Sequence, residues 1–265
     1  MVLLETLLFY LALGAFAGIL AGLLGVGGGL VIVPAVAWML ALQGVDDSRI
    51  MHLAIGTSLA TIVVTSLSSI RAHHRRGAVL WPVFVQLAPG IVVGALLGSL
   101  IAAALPGASL QMVFGVFVLI IAAQMGFGFR PIPHRNLPGP AGMAAAGALI
   151  GMLSAIVGIG GGSLTVPFLT WCNIAIRSAV ATSAACGLPI AVAGTLGFAV
   201  TGWGEAQLPS WSLGYIYLPA LMGIVTASVL SAPLGAKLAH VLPTGSLRKI
   251  FAVFLAMVGV KMLLG

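Results

Sequence analysis

Apolar stretches interrupted by short polar breaks run from one end of the chain to the other. Stretches of about 20 apolar residues can cross the hydrocarbon core of a bilayer as helices. Membrane barrel strands would instead alternate apolar and polar residues, and runs such as GMAAAGALIGMLSAIVG do not alternate. The pattern predicts an all-α polytopic membrane protein with apolar segments at 3–24, 30–42, 50–70, 78–104, 109–128, 141–157, 163–172, 178–201, 211–239 and 246–264.

The segments form an internal duplication. GVGGGLVIVP at Gly25–Pro34 returns as GIGGGSLTVP at Gly158–Pro167. LPGASLQMVFGVF, which begins at Leu105, returns as LPTGSLRKIFAVF, which begins at Leu242, with seven of thirteen positions identical. We therefore expect a first transmembrane repeat, a cytoplasmic linker and a second transmembrane repeat, at residues 1–128, 129–140 and 141–265.

Charge predicts how the two repeats are oriented. The chain is 61% apolar and 6% charged, which excludes a soluble globule, and its net charge is +7. Suppose that the first two segments of each repeat enter the membrane and return to the same side. Nine of the eleven Lys and Arg residues then lie on one face of the membrane, and all four carboxylates lie on the other face. Cytoplasmic loops are enriched in Lys and Arg. This favours two inverted five-segment repeats with both termini outside, and it explains the positive charge without a nucleic-acid partner.

Three consecutive glycines interrupt the apolar pattern in each repeat. Non-helical backbone is tolerated at membrane depth only where it is buried in protein or lines a cavity, and glycine allows left-handed angles and close approach. Pro34 and Pro167 follow the glycines and suit the first turn of a helix. Each repeat is therefore predicted to begin with a glycine-broken helix pair. Pro89 and Pro219, midway along corresponding long segments, are predicted as kinks that serve either as hinges or only in packing.

The start of a helix exposes unpaired N–H groups and a partial positive charge, so it attracts anions. Two inverted breaks would direct two helix starts at one central cavity. No Lys, Arg, Asp or Glu falls at that depth, which favours a small anion over a cation and predicts neither a metal site nor a cofactor. The alternative of purely structural hinges stays open. The candidate substrate-binding residues are Gly27, Gly28, Gly29, Thr57, Ser58, Gly160, Gly161, Gly162, Ser163, Thr182 and Ser183, with Thr165 as a further nearby hydroxyl.

At these residues the chain resembles the sulfite exporter TauE/SafE family, also called the 4-toluene sulfonate uptake permease family. The resemblance covers essentially the whole length. It rests on the two glycine motifs, on AIGTSLATI and AVATSAACGLP after them, and on the basic loop RAHHRRG. It implies transport of a sulfur-containing anion, such as sulfite or an organosulfonate, across the bacterial inner membrane, without identifying one substrate.

A few other residues are candidates for chemistry. Cys172 and Cys186 are the only cysteines, and we expect buried thiols that behave as small hydrophobes, although a redox role stays open. His73 and His74 lie in a predicted solvated basic loop that contacts lipid headgroups. His52 is either an interfacial residue or a proton-linked gate.

The sequence thus predicts a multi-pass inner-membrane secondary transporter, not an enzyme, that exports a small anion by alternating access. Expelling a negative charge from a cell that is negative inside is favoured by about 2.3 kcal/mol per 100 mV. An anion channel and a thiol-dependent membrane oxidoreductase remain as alternatives. Besides the anion, the expected partner is the lipid bilayer, and the sequence leaves open whether the chain forms a homodimer.

Overall fold

A computed structural model describes residues 2–24, 28–128, 136–238 and 244–264. These residues are almost entirely helical. The helices are α1 (Val2–Leu24), α2 (Gly29–Leu42), α3 (Asp47–His74), α4 (Trp81–Ala104), α5 (Gly107–Gly126), α6 (Pro140–Val157), α7 (Gly162–Trp171), α8 (Ile176–Thr201), α9 (Leu218–Leu238) and α10 (Thr244–Leu264).

Each predicted apolar segment corresponds to one helix, but the segment predicted at 211–239 begins late. Its first residues form a hairpin of β1 (Ser212–Leu213) and β2 (Ile216–Tyr217), which pair antiparallel. Gly214 in the turn has a φ of +55°, a conformation that favours glycine. The connection between α8 and α9 therefore spans 202–217, whereas the connection between α3 and α4 spans only 75–80.

Among the described residues, five helices are long and apolar enough to cross a membrane: α3, α4, α5, α6 and α8. Shorter apolar stretches lie in α1, α2 and α9. The chain is therefore a multi-pass membrane protein, as predicted. The outer faces of α4 and α5 expose large apolar side chains, whereas α3 is the most enclosed of the five helices. Residues 50–62 of α3 are thus shielded from lipid by the rest of the fold.

Helices of one repeat pack mainly along helices of the other. Two such pairs run parallel: α4 with α6, and α1 with α9. Glycines let the backbones approach so closely that a Cβ would collide with the partner helix, which is the common way of packing membrane helices. These contacts are Gly90 on Ala144, Gly94 on Ala148, Gly98 on Met152, Gly14 on Ile224 and Gly18 on Ser228.

Corresponding helices of the two repeats cross antiparallel. In the pair of α3 and α8, Gly56 lies against Phe198, and Leu59, one turn later, lies against Gly194. In the pair of α5 and α10, the Gln111 side chain donates a hydrogen bond of 3.0 Å to the Met262 carbonyl oxygen, while Gly126 lies against Ala252.

Charges separate to opposite ends of the pair of α3 and α8. The N-terminal end of α3 meets the C-terminal end of α8 through an ion pair of 2.7 Å between Arg49 and Glu205. Asp46 and Asp47 lie at the same end. The described basic residues at the other end are Arg71, Arg75, Arg76 and Arg177. The basic segments around residues 130 and 240 lie partly outside the described residues.

Three of the four hinge prolines differ from expectation. Pro34 and Pro167 are each the sixth residue of their helix, because α2 and α7 begin directly at glycine. Pro219 is the second residue of α9, so its counterpart is Pro82 at the start of α4, and the predicted mid-helix kink there is wrong. Pro89 does lie inside α4.

Candidate functional site

The two glycine breaks start their second helices in the same register. In the repeated decapeptide, α2 begins at the fifth residue, Gly29, and α7 begins at the fifth residue, Gly162. Gly28 and Gly161 are the preceding N-cap residues. The structure therefore contains both helix interruptions that the sequence predicts, although Gly27 lies outside the described residues.

Most of these glycines allow close contact with neighbouring atoms and do not adopt left-handed backbone angles. Gly28 and Gly161 have φ of −72° and −60°, values that any residue adopts. Within the described part of the two motifs only Gly158, which ends α6, has a positive φ, of +75°. The expectation of left-handed angles at the glycine triplets is therefore wrong for Gly28, Gly29, Gly161 and Gly162, since two of them cap and two of them begin a helix.

The two breaks touch each other inside the protein. A Cβ atom placed on Gly29 would lie 2.5 Å from the Gly158 carbonyl oxygen. That same carbonyl accepts a hydrogen bond of 2.8 Å from the Ser58 hydroxyl. Both Gly29 and Ser58 are buried. The start of α2, the end of α6 and the centre of α3 therefore meet at one point.

Thr57 and Thr182 make equivalent hydrogen bonds in the two repeats. The Thr57 hydroxyl accepts from the Tyr217 backbone N–H at 2.9 Å, and the Thr182 hydroxyl accepts from the Leu80 backbone N–H at 3.0 Å. Tyr217 and Leu80 each directly precede a long helix, α9 or α4. These threonines thus hold helix starts, a role that the sequence analysis missed because the partners lie more than 100 positions away.

Ser183 occupies the position that corresponds to Ser58, but its hydroxyl donates to the Val180 carbonyl oxygen of its own helix at 2.8 Å. Serine on a helix often bonds this way. The backbone nearby is close to the second break: a Cβ on Gly161 would lie 3.0 Å from the Ser183 carbonyl oxygen. The middle of α8 therefore forms one wall of the second break.

Unpartnered hydroxyls surround the second break. The side-chain oxygens of Ser154, Ser163 and Thr165 are buried and have no hydrogen-bond partner among the described residues. Ser163 is 6% exposed and Thr165 is 0% exposed. Buried polar atoms are normally paired. Three unpaired hydroxyls around one helix interruption therefore mark it as a place where a polar group can bind.

The first break has no such hydroxyls at the matching positions. Leu30 stands where the second repeat has Ser163, and Ile32 stands where it has Thr165. Both side chains belong to the buried apolar core. The two breaks therefore share a backbone arrangement and differ in the chemistry around it.

Space is also available at the second break. Among the described residues, a Cβ placed on Gly160 would meet only the Cγ2 atom of Ile62, at 3.6 Å, which is an ordinary contact. By contrast, a Cβ on Gly158 would lie 3.1 Å from atoms of both Ile55 and Val33. The loop between α6 and α7 is thus tightly packed at its first residue and open at its third.

The remaining candidates are the histidines and the cysteines. His52 is buried in α3, where its ring lies 4.9 Å from that of Tyr215 between centroids. His73 and His74 belong to the last turn of α3, so the prediction that they lie in a loop is wrong. Both cysteines are buried. The described residues contain no group of three His, Cys, Asp or Glu side chains that could hold a metal ion.

Comparison with known proteins identifies the family. The family described as Sulfite exporter TauE/SafE matches residues 10–262. A probable membrane transporter protein of Haemophilus influenzae is 40% identical over 97% of this chain and 98% of its own length. One from Methanocaldococcus jannaschii is 27% identical over 95% and 93%, respectively. No solved structure gives a significant match. The chain belongs to the Sulfite exporter TauE/SafE family and is a membrane transporter.

Proposed function

We propose that this chain is a secondary transporter that exports a small anion, sulfite or an organosulfur acid, across the bacterial inner membrane by alternating access. One observation carries the proposal: the two glycine breaks meet in the buried interior, where Gly29 at the start of α2 contacts Gly158 at the end of α6. Buried hydroxyls lie at the second break, and neither repeated decapeptide contains a charged residue. Helix starts of this kind favour anions. The sulfur-containing substrate follows from the family description alone.

An inverted relation between the two five-segment repeats would support alternating access. Corresponding helices α3 and α8 run antiparallel, as do α5 and α10, which is the relation that an inverted duplication would produce. Transporters built from inverted repeats bind substrate near the midplane at broken helices and rock one bundle against the other. The basic end of α3 and α8 would face the cytoplasm, where loops are rich in Lys and Arg.

The membrane potential favours export. Moving one negative charge out of a cell that is negative inside releases about 2.3 kcal/mol per 100 mV. Uptake against that potential would need a coupled cation. A central site for such a cation would need a carboxylate near the middle of the membrane. Asp46, Asp47 and Glu205 lie instead at one end of the fold, opposite the basic cluster. We therefore propose uniport export.

The site in this proposal lies where the two breaks meet. Donors would come from unpaired N–H groups at a helix start, such as those after Gly161, and from nearby hydroxyls, while Gly29 of the first break contacts the second break. Thr57 and Thr182 would shape the site by holding α9 and α4. Gly160 would leave room for the anion.

Flux measurements on the purified protein in proteoliposomes test the function. With labelled sulfite, sulfate, thiosulfate and sulfoacetate, we expect saturable transport of at least one sulfur anion, with counterflow and acceleration by an outward-driving potential. Non-saturating conductance without counterflow would show a channel instead. Absence of flux for all four anions would overturn the proposal.

A double variant, Cys172→Ala with Cys186→Ala, separates transport from thiol chemistry. Both cysteines are buried in the apolar interior, and a buried thiol acts as a small hydrophobe. We expect flux within about twofold of the wild type. Complete loss of flux in a protein that remains folded would favour the thiol-dependent alternative.

A further inference from the structure

Resting on the function proposed above, we propose that the anion is bound by the second glycine break alone, with the Ser163 and Thr165 hydroxyls as its side-chain donors, and that this site takes a singly charged oxyanion. The site would therefore be asymmetric within a duplicated fold. Its substrates would be sulfonates and the singly protonated form of sulfite.

Backbone donors at the start of α7 are available. The Thr165 backbone N–H bonds to the Gly161 carbonyl oxygen at 2.8 Å and begins the helical ladder. The N–H groups of the three preceding residues, Gly162, Ser163 and Leu164, make no hydrogen bond to the described residues. Such groups at a helix start carry a partial positive charge and bind anions.

The two hydroxyls supply the independent observation. Thr165 could bond the Gly161 carbonyl oxygen in its own helix, yet its hydroxyl has no partner in the part of the chain that the structure describes. That hydroxyl lies 3.3 Å from the position of a Cβ on Gly161, so it points back toward the helix start. The Ser163 hydroxyl, in the first turn, is also buried and unpartnered. Two buried donors without acceptors beside free N–H groups form an oxyanion site.

The first break is closed to an anion by its own packing. Leu30 and Ile32 replace the two hydroxyls, and they are 0% and 2% exposed in the apolar core. Gly29 contacts the carbonyl oxygen of Gly158, and that oxygen would repel an anion. At the matching place in the first repeat, the helix start is thus used for contact with the second repeat.

The charge limit follows from the donors. A helix start contributes about half a positive charge, and hydroxyls and N–H groups are neutral. The second glycine motif, Gly158–Pro167, contains no Lys or Arg. Burying a second negative charge without a cation is costly. The site is therefore matched to a monoanion and disfavours a dianion such as sulfate.

The experiment measures binding to the purified wild-type protein and three variants in detergent, by calorimetric titration with methanesulfonate. The variants are Ser163→Ala, Thr165→Val and, as the matched control, Thr170→Val. Thr170 lies in the same helix, but its hydroxyl already donates to the Val166 carbonyl oxygen at 2.9 Å. Elution as a single species and an unfolding transition establish that each variant is folded.

We expect Kd to rise roughly 10- to 100-fold in Ser163→Ala and in Thr165→Val, the range for losing a hydrogen bond to a charged group. Thr170→Val should stay within about twofold. Thr165→Ser keeps the donor and should bind nearly as the wild type does. If both hydroxyl variants bind as tightly as the wild type while the wild type still transports, the asymmetric site is wrong and the transport function survives.

Competition on the wild-type protein alone tests the charge limit and needs no variant. Sulfate should compete with methanesulfonate at least 10-fold more weakly at equal concentration. Binding of sulfite should weaken as the pH rises through the conversion of its singly charged form to the dianion, whereas methanesulfonate binding should not change. Equal competition by sulfate would overturn the monoanion site. Absence of both binding and flux for every sulfur anion would instead overturn the transport function itself.

Discussion

The two glycine breaks begin their helices at the same position of a repeated decapeptide, yet their surroundings differ. The first break is bounded by Leu30 and Ile32 and contacts the second through Gly29. The second is bounded by Ser163 and Thr165, whose hydroxyls have no partner. The backbone arrangement is common to both repeats, but the polar donors are present in one.

This difference separates two uses of a helix interruption. In the first repeat the missing side chain of glycine permits close contact between backbones. In the second repeat the interruption leaves donors unpaired. A duplicated fold therefore does not require a symmetric binding site. Polar backbone inside a membrane must be buried in protein or line a cavity; the first break meets this requirement by packing, and the second leaves donors that a ligand can bind.

The largest effect should come from Gly158→Val, which tests the contact between the breaks. A β-branched residue at φ +75° is strained, and its Cβ would lie 3.1 Å from Ile55 and Val33. We expect a loss of about 3 kcal/mol or more in the free energy of unfolding, measured by denaturant titration in detergent. Gly160→Ala is the control and should lose no more than about 0.5 kcal/mol. Equal stability of both variants would contradict the tight contact.

Thr57→Val and Thr182→Val should have the next largest effect, and an equal one. Each leaves a backbone N–H without its acceptor, the buried one of Tyr217 or the partly buried one of Leu80, at a cost of about 1–3 kcal/mol. Denaturant titration of both variants measures this cost, with Thr57→Ser and Thr182→Ser as controls that retain the oxygen. A loss in only one repeat would show that the framework is less symmetric than the hydrogen bonds indicate.

A smaller effect is expected for Glu205→Gln, which tests the long connection at 202–217 that the first repeat lacks. The ion pair between Arg49 and Glu205 is about one-third exposed, at 30% and 32%. We therefore expect a loss of only about 0.2–1 kcal/mol, shrinking at high salt. Thermal unfolding at low and high salt measures it. A loss that does not depend on salt would mean that the side chain acts through packing.

The smallest expected effect is on the pH dependence of stability, and it tests a difference between the N-caps of the corresponding helices α3 and α8. The hydrogen bond from the Ser48 backbone N–H to the Asp46 carboxylate, of 2.7 Å, lowers the pKa of that carboxyl below its ordinary value. Because the folded pKa is depressed, this stabilisation is present above the ordinary carboxyl pKa and is lost as the pH falls through the folded value. The N-cap of α8, Ala175, offers no such group.

Asp46→Asn should therefore reduce the fall of the unfolding temperature between neutral pH and about pH 3, and Asp47→Asn serves as the control. The unfolding midpoint is followed by circular dichroism in detergent. An unchanged pH profile in Asp46→Asn would contradict the capping role of the carboxylate.

Much of the fold was predictable from the sequence because membrane segments have a required length and composition. The helix bounds agree with the predicted segments within a few residues, except at the start of α9. That start was missed because residues 211–217 are mostly apolar, as a membrane helix is. Only the pairing of β1 with β2 shows that these residues form a hairpin and not the first turns of α9. The prolines were misassigned for a related reason, since Pro219 could be placed only once the first residue of α9 was known.

The candidate site was predicted in part. The positions of the two helix interruptions follow from the glycines, because few other residues tolerate such close backbone contact. The asymmetry between Leu30 and Ser163 could also have been found by aligning the two decapeptides. The partners of Thr57, Thr182 and Ser58 could not, because each bond joins residues at least 100 positions apart.

The sequence by itself determined that this chain lies in a membrane, that it is duplicated, and that each repeat contains an interrupted helix. Hydrocarbon imposes these features locally, through segment length and backbone hydrogen bonding. Only the tertiary structure decided which hydroxyls hold helix starts and which remain unpartnered. That outcome depends on which backbone groups of distant segments arrive within hydrogen-bonding distance, and packing alone brings them together.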